Sequence, residues 1–202
     1  MNDIFKKAVE EDTPAIYFEN FYKPESTWQD VMEYIYKASD TPSSFNQNNE
    51  EKDVHKVEII GSLKIQRGIY LIPLARDLHK VFKEASGLME KITGSDKVNS
   101  CKYYDGEYNQ FPCDCGSIWH IQGLRFSATP IVINHHKDPC DVLYWQMLGT
   151  SYWTINREKE YKLNPGDMLY INKNATHGIR QDGPRVAILI DGLKPGYGKD
   201  DI

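Results

Sequence analysis

The chain contains one His-x-Asp tripeptide, His136-Lys137-Asp138. Side chains two residues apart on an extended strand leave the same face, so an imidazole and a carboxylate here can grip one metal ion. A third donor has to come from another strand. His177 is the candidate, standing just beyond the strand-like run Asp167 to Asn172. Two imidazoles and one carboxylate fill one face of an octahedron and leave positions for a co-substrate and O2. Such a set suits Fe(II) and would also accept Mn, Co, Ni or Zn. His135 adjoins the motif on the opposite strand face. His79 and His120 read as ordinary histidines of a helix face and a β face.

Three donors on distant stretches of chain need a rigid β frame to meet. From about residue 100, short runs rich in Tyr, Trp, Ile and Val alternate with turn residues such as Gly149-Thr150, Asn156-Arg157-Glu158 and Asn164-Pro165-Gly166. Regularly spaced short strands with turn signals predict a sandwich or barrel. The first hundred residues are mixed. A strand is expected over 15–22 and a helix over 26–38, with Trp28, Val31, Met32 and Ile35 at helical spacing. The polar stretch 39–53 reads as a loop, 55–65 as a strand, and 71–92 as a helix with Leu74, Leu78, Val81 and Phe82 on one side. The predicted architecture is mainly β with a helical annex. A double-stranded β-helix, or jelly-roll, core from Ser117 to Gly192 is packed by N-terminal helices. Residues 1–202 are expected to form a single domain, with an α/β N-terminal region over 1–100 and the β core over 101–202.

The totals exclude several classes of function. At 202 residues the chain can bury one well-sized core. Hydrophobic residues make up 40% and charged residues 26%, which fits a globular fold. A net charge of −5 without a basic stripe gives nucleic-acid binding no electrostatic support. No apolar run approaches a membrane span, and the N-terminus lacks the apolar stretch of a signal peptide, so a cytoplasmic location is expected. Cys101, Cys113 and Cys115 with His120 suggest zinc, but Cys-x-Cys is poor structural-zinc spacing, and plain thiols are the preferred reading.

Around the triad, His136-Lys-Asp-Pro-Cys-Asp-Val-Leu-Tyr-Trp-Gln-Met-Leu-Gly149 leads into a hairpin, and Asn164-Pro-Gly-Asp-Met-Leu-Tyr-Ile leads towards His177. From Ile131 to near Leu193 this pattern resembles the cupin branch of the 2-oxoglutarate-dependent oxygenases, including the jumonji-type protein hydroxylases. The resemblance implies that His136, Asp138 and His177 are iron ligands at the catalytic centre. It also implies 2-oxoglutarate and O2 as co-substrates, and it allows a homodimer. In the jumonji-like branch a Lys or Arg often follows the hairpin glycine by two residues, to hold the far carboxylate of 2-oxoglutarate. That position is Ser151. In the prolyl-hydroxylase-like branch, a basic residue on the strand after the distal histidine does this, which points to Arg185, with Arg180 as fallback and Tyr144 as a hydroxyl partner. Asp141 is expected either to orient a ligand or to cap its turn, and Asn134, Arg125 and Trp145 are candidates for shaping a pocket.

The leading expectation is an Fe(II)- and 2-oxoglutarate-dependent dioxygenase that hydroxylates or oxidatively demethylates a small molecule or a protein side chain. The alternatives are a metal cupin that does not use 2-oxoglutarate, acting as dioxygenase or isomerase, and a non-catalytic cupin that binds a ligand or a partner protein.

Overall fold

Burial alternates along the strands in a way that requires two layers. On Arg185–Gly192 every residue is buried, so this strand is covered on both faces. Val186, Ile188 and Ile190 join one apolar cluster, and Ala187 and Leu189 join another. A strand buried on both sides needs a second sheet against one face and helices against the other. The computed structural model shows this arrangement. It describes residues 3–37, 43–47, 50–54, 69–72, 82–96 and 117–192.

The elements in chain order are α1 (Asp3–Glu10), β1 (Ala15–Phe18), α2 (Trp28–Lys37), β2 (Ser43–Gln47), β3 (Glu50–Val54), β4 (Ile69–Ile72) and α3 (Lys83–Thr93). The core strands follow: β5 (Trp119–Ser127), β6 (Ile131–His136), β7 (Asp141–Leu148), β8 (Ser151–Ile155), β9 (Lys159–Leu163), β10 (Met168–Ile171), β11 (His177–Gln181) and β12 (Arg185–Gly192). Among the described residues one sheet has eight strands in the order β1-β10-β7-β12-β5-β4-β2-β3, and the other has four in the order β6-β11-β8-β9. Their pairings are antiparallel throughout. This is the jelly-roll, double-stranded β-helix architecture expected from the sequence, with helices on the outer face of the larger sheet.

The helices attach through apolar side chains. Phe5, Val31, Tyr34, Leu88, Met89 and Ile92 pack against Trp119, Leu143, Trp145 and Tyr170. Thr27 and Asp30 close a reciprocal cap at the start of α2, with Thr27 N–H donating to Asp30 at 2.7 Å. α3 stops at Gly94, whose φ of 73° is the left-handed cap and whose N–H donates to Glu90 O at 2.8 Å. Trp28, expected on the apolar face of α2, stands 37% exposed instead.

Two expectations change. The polar stretch read as a loop over 39–53 contains β2 and β3, which pair from Ser43↔Val54 to Gln47↔Glu50. Sheet hydrogen bonds use backbone groups, so an outermost hairpin needs no apolar pattern, and charged residues suit an edge. The helix expected over 71–92 overlaps β4 at 71–72, and among the described residues of that stretch helix runs over 83–92, ending at 93. Phe82, counted in that helix, precedes its first turn and is buried. The strand expected over 55–65, His79 and the cysteines at 101, 113 and 115 lie outside the described residues.

Candidate metal centre

β6 and β11 bring the two histidines together. They pair antiparallel with His177 directly opposite His136, and the ring centroids are 4.4 Å apart. Simple alternation from Ile131 and Ile133, both inward, would turn His136 outward. The register shifts so that Asn134 and His135 together oppose Gly178, which is a β-bulge. The bulge restores His136 to the inner face. His135 is left over Gly178, where an added Cβ would lie 3.1 Å from its ring. Asp138 follows β6 in the turn and not on the strand itself. It still reaches back, with Oδ1 3.8 Å from His136 Nε2 and Oδ2 3.3 Å from His177 Nε2. One donor atom from each of the three residues lies within 4.8 Å of the others.

The tautomers decide what these atoms can do. His136 Nδ1 lies 2.8 Å from Asn134 O, and His177 Nδ1 lies 3.3 Å from Ala175 O. A carbonyl only accepts, so each Nδ1 carries the hydrogen, and in a neutral ring each Nε2 presents a lone pair. Burial pushes the His136 imidazole below its ordinary value, favouring the neutral ring. Burial works to raise the Asp138 carboxyl, but its contact with His177 and the charges the two rings carry when protonated, together with that of Arg125, outweigh this and hold it low. His177 Nε2 is buried without an aligned hydrogen-bond partner. Lone pairs of two imidazoles and a carboxylate therefore converge on one point, and a divalent cation resolves that convergence.

The loops carrying the ligands are tied to each other. Asp141 Oδ1 accepts from Lys173 N at 2.9 Å, joining the turn after Asp138 to the turn before His177. Asp141 therefore braces the two turns that carry Asp138 and precede His177.

Arg185 opens β12 at the far end of the interior. Its side chain is wholly buried, and none of its three guanidinium nitrogens has a hydrogen-bond partner among the described residues. Its carbon lies 5.9 Å from the Trp153 ring centroid, and Trp153 lies 5.8 Å from the His177 ring. Burial pushes the guanidinium down to about 10, opposed by the nearby Tyr144 hydroxyl. Tyr144 stacks at 4.2 Å on Trp153, and burial raises it to about 12.

Ser151 stands where a cation was expected, and its surroundings explain the change. Its Oγ donates to Gln146 Oε1 at 2.7 Å and accepts from Trp153 Nε1 at 2.9 Å. Gln146 in turn donates to the carbonyls of Leu148 and Val186. The position is filled and satisfied, and a lysine there would bury a second cation in the same closed end.

The structure does not bring every candidate inside. Arg180 is held outside by Asp182, with contacts of 2.6 and 2.7 Å, and lies over Tyr152 at 3.9 Å, so it is no anchor. Trp145 belongs to the helix-side core and donates to Tyr22 O, and Asn134 is exposed, so neither shapes an interior pocket. His120 is buried against Ser117 O at 2.8 Å, and burial pushes it down to about 4. Asp191, which no motif singles out, lies on the inner face of β12 near Asp138 and Arg125. Its signal in the sequence is an acid at the odd, inward positions of an otherwise apolar strand.

No protein-family model matches the chain, and no curated protein matches it by sequence. Solved structures do. The ribosomal oxygenase YcfD from Escherichia coli superposes with a TM-score of 0.61 at 16% identity, over 96% of this chain and 52% of that one. The chain shares the jelly-roll fold of that oxygenase. The same bacterial oxygenase in complex with cobalt and 2-oxoglutarate gives a TM-score of 0.57 at 16% identity, over 96% and 52% of the two chains. With cobalt and succinic acid the TM-score is 0.58 at 16% identity, over 100% and 53%. The chain thus spans about half the length of these oxygenases. Among its described residues no helix is long and apolar enough to cross a membrane.

Proposed function

We propose that this chain is an Fe(II)- and 2-oxoglutarate-dependent dioxygenase, with His136, Asp138 and His177 as metal ligands and Arg185 as the anchor of the far carboxylate. The observation that carries this reading is Arg185. A buried guanidinium with no acceptor is costly, and it is tolerated where a ligand supplies the missing anion. 2-Oxoglutarate has a carboxylate at each end and is a fitting occupant between this arginine and the triad. The solved complexes of the bacterial oxygenase with cobalt and 2-oxoglutarate support the same co-substrate for this fold.

Each residue has a defined task. The Nε2 atoms of His136 and His177 and the Asp138 carboxylate hold the cation, and the backbone carbonyls of Asn134 and Ala175 fix the two rings. Arg185 binds the distal carboxylate by charge-assisted hydrogen bonds, and Tyr144 offers its hydroxyl to the same group. Trp153, Leu169 and Leu189 line a water-poor interior, which strengthens those bonds. Iron(II) bound there with 2-oxoglutarate and O2 supplies an oxidant of substrate C–H bonds, releasing succinate and CO2. The substrate is a small molecule or a protein side chain. We treat residues 1–202 as one domain, since β1 to β4 join the same sheet as the core strands.

Anaerobic addition of Fe(II) and then 2-oxoglutarate tests this. A metal-to-ligand charge-transfer band is expected, lost both in His177→Ala and in Arg185→Ala. A protein that binds iron but gives no response to 2-oxoglutarate would instead be a metal cupin of another class.

A further inference from the structure

Beyond the triad and Arg185, the inner face of the larger sheet carries two more charged side chains among the described residues, a half-buried arginine and a buried aspartate. Arg125 on β5 pairs with Ala187 of β12, so it shares the inner face with Arg185, Leu189 and Asp191. Arg185 pairs with Ser127 at the closed end, and Asp191 pairs with Val142 and His120 at the metal end. The Arg125 head group turns towards the metal end, where Nη2 donates to Gln122 Oε1 at 3.3 Å. Gln122 occupies the bulge opposite Leu189 and Ile190, and bulges commonly re-aim side chains beside active sites. Arg125 Nε is buried without a partner. The guanidinium is close enough to act on the charges of Asp138, His136 and Asp191.

Asp191 is the matching acid. It is 5% exposed, and its hydrogen bond is with Cys140. Arg125 and Asp191 influence each other, yet among the described residues neither has a salt-bridge partner. Opposite charges at one mouth that stay apart leave room for a ligand between them. With a divalent cation and 2-oxoglutarate in place, Asp138 and the two carboxylates balance the cation and Arg185. What remains is Arg125 and Asp191, a positive and a negative group beside the reacting position. A ligand carrying both charges on neighbouring atoms complements them.

We infer that the primary substrate is a free α-amino acid, its carboxylate held by Arg125 and its ammonium by Asp191. This rests on the reading of the chain as a 2-oxoglutarate oxygenase and names the substrate class for that site. A residue within a protein lacks both free charges, so it would leave Arg125 and Asp191 unmatched.

The test uses the whole protein loaded with Zn(II) and 2-oxoglutarate, and follows its melting temperature with each common L-α-amino acid, its amide and its N-acetyl amide. Succinate release by the Fe(II) form is followed in parallel. One or a few free amino acids are expected to raise the melting temperature and accelerate succinate release, while the blocked forms do neither. Arg125→Gln and Asp191→Asn are each expected to weaken amino-acid binding about 100-fold, the cost of breaking a buried charge pair. Arg125→Lys keeps the charge and is expected to retain part of the response, which separates recognition from a folding defect. Equal response to the N-acetyl amides would overturn the inference in favour of a protein side chain. An Arg125→Gln protein that loses 2-oxoglutarate as strongly as the amino acid would move Arg125 to the co-substrate and overturn it too. Binding of 2-oxoglutarate with no response to any free amino acid would overturn it while the dioxygenase reading stands. No binding of 2-oxoglutarate by the wild type would overturn both.

Discussion

Arg185 brings a full positive charge into the closed end of the sandwich with no acceptor in reach among the described residues. Its folded-state value near 10 lies below the ordinary 12.5, so the folded protein binds this proton less well than the unfolded chain does. The cost is fully present at neutral pH and is relieved only as pH rises through about 10. Arg185→Met is therefore expected to stabilise the unliganded protein by about 1–3 kcal/mol, since an apolar side chain replaces an uncompensated buried charge. The same change is expected to abolish detectable 2-oxoglutarate binding. Urea denaturation and calorimetric titration check the two halves, and a destabilised Arg185→Met protein would argue for a purely structural arginine. Asp191 has the opposite sign. Burial lifts its carboxyl to about 7 from 3.8, so its cost is absent below about pH 4, grows as pH rises, and is complete above about 7. The cost is on the order of 4 kcal/mol, from about three pH units at 1.4 kcal/mol each. Asp191→Asn is expected to be more stable than wild type at pH 8, with the difference closing towards pH 4. These residues differ in how legible they were. The His-x-Asp and the later histidine announce themselves by type and spacing. The missing partners of Arg185 and the inward direction of Asp191 depend on strand register, which no tripeptide encodes.

At the scale of elements, the site depends on turns and bulges that keep strand faces in register. Gly149 closes the β7–β8 hairpin with a φ of 71°, and a Cβ there would stand 2.1 Å from Pro184 O. Backbone cannot step aside as a flexible side chain can. Gly149→Ala is expected to cost about 2–4 kcal/mol, from left-handed strain plus the clash. It should also loosen Arg185, whose Cα lies 3.0 Å from the same point. Chemical denaturation measures the first effect and 2-oxoglutarate affinity the second. The glycine turn and the flanking strands were readable because apolar alternation and turn residues are local signals. The bulge at Asn134 and His135 was not, because a one-residue shift leaves composition untouched while reversing which face a side chain joins. The hairpin of β2 and β3 was hidden for a related reason. Its backbone pairs at the outer end of a sheet, where nothing selects for apolar residues.

At the scale of the molecule, two sheets enclose the charged interior and the described helices cover the outer face of the larger one. Among the described residues the two apolar clusters lie on opposite faces of shared strands such as β12, so the helix-side core can hold the frame while the interior stays incompletely satisfied. That division was partly readable, because a helical first part and an aromatic, strand-rich second part predict helices on a jelly roll. What sequence could not supply is the interior's unmet demand for ligands: converging lone pairs at one end and an orphan guanidinium at the other. Such an interior is expected to gain stability in two separable steps. Saturating divalent metal should stabilise wild type by about 2.7 kcal/mol at a hundredfold excess over its Kd. For a chain of this size that corresponds to about 5–10 °C in melting temperature. 2-Oxoglutarate should add a second increment only when metal is present, because one end of it requires the cation and the other requires Arg185. His177→Ala is expected to lose both increments, and Arg185→Met to keep the first and lose the second. Differential scanning calorimetry of the three proteins, metal-free, with metal alone and with metal plus 2-oxoglutarate, reads all six increments. A 2-oxoglutarate increment that persists in Arg185→Met would show that the far carboxylate is held elsewhere in the interior.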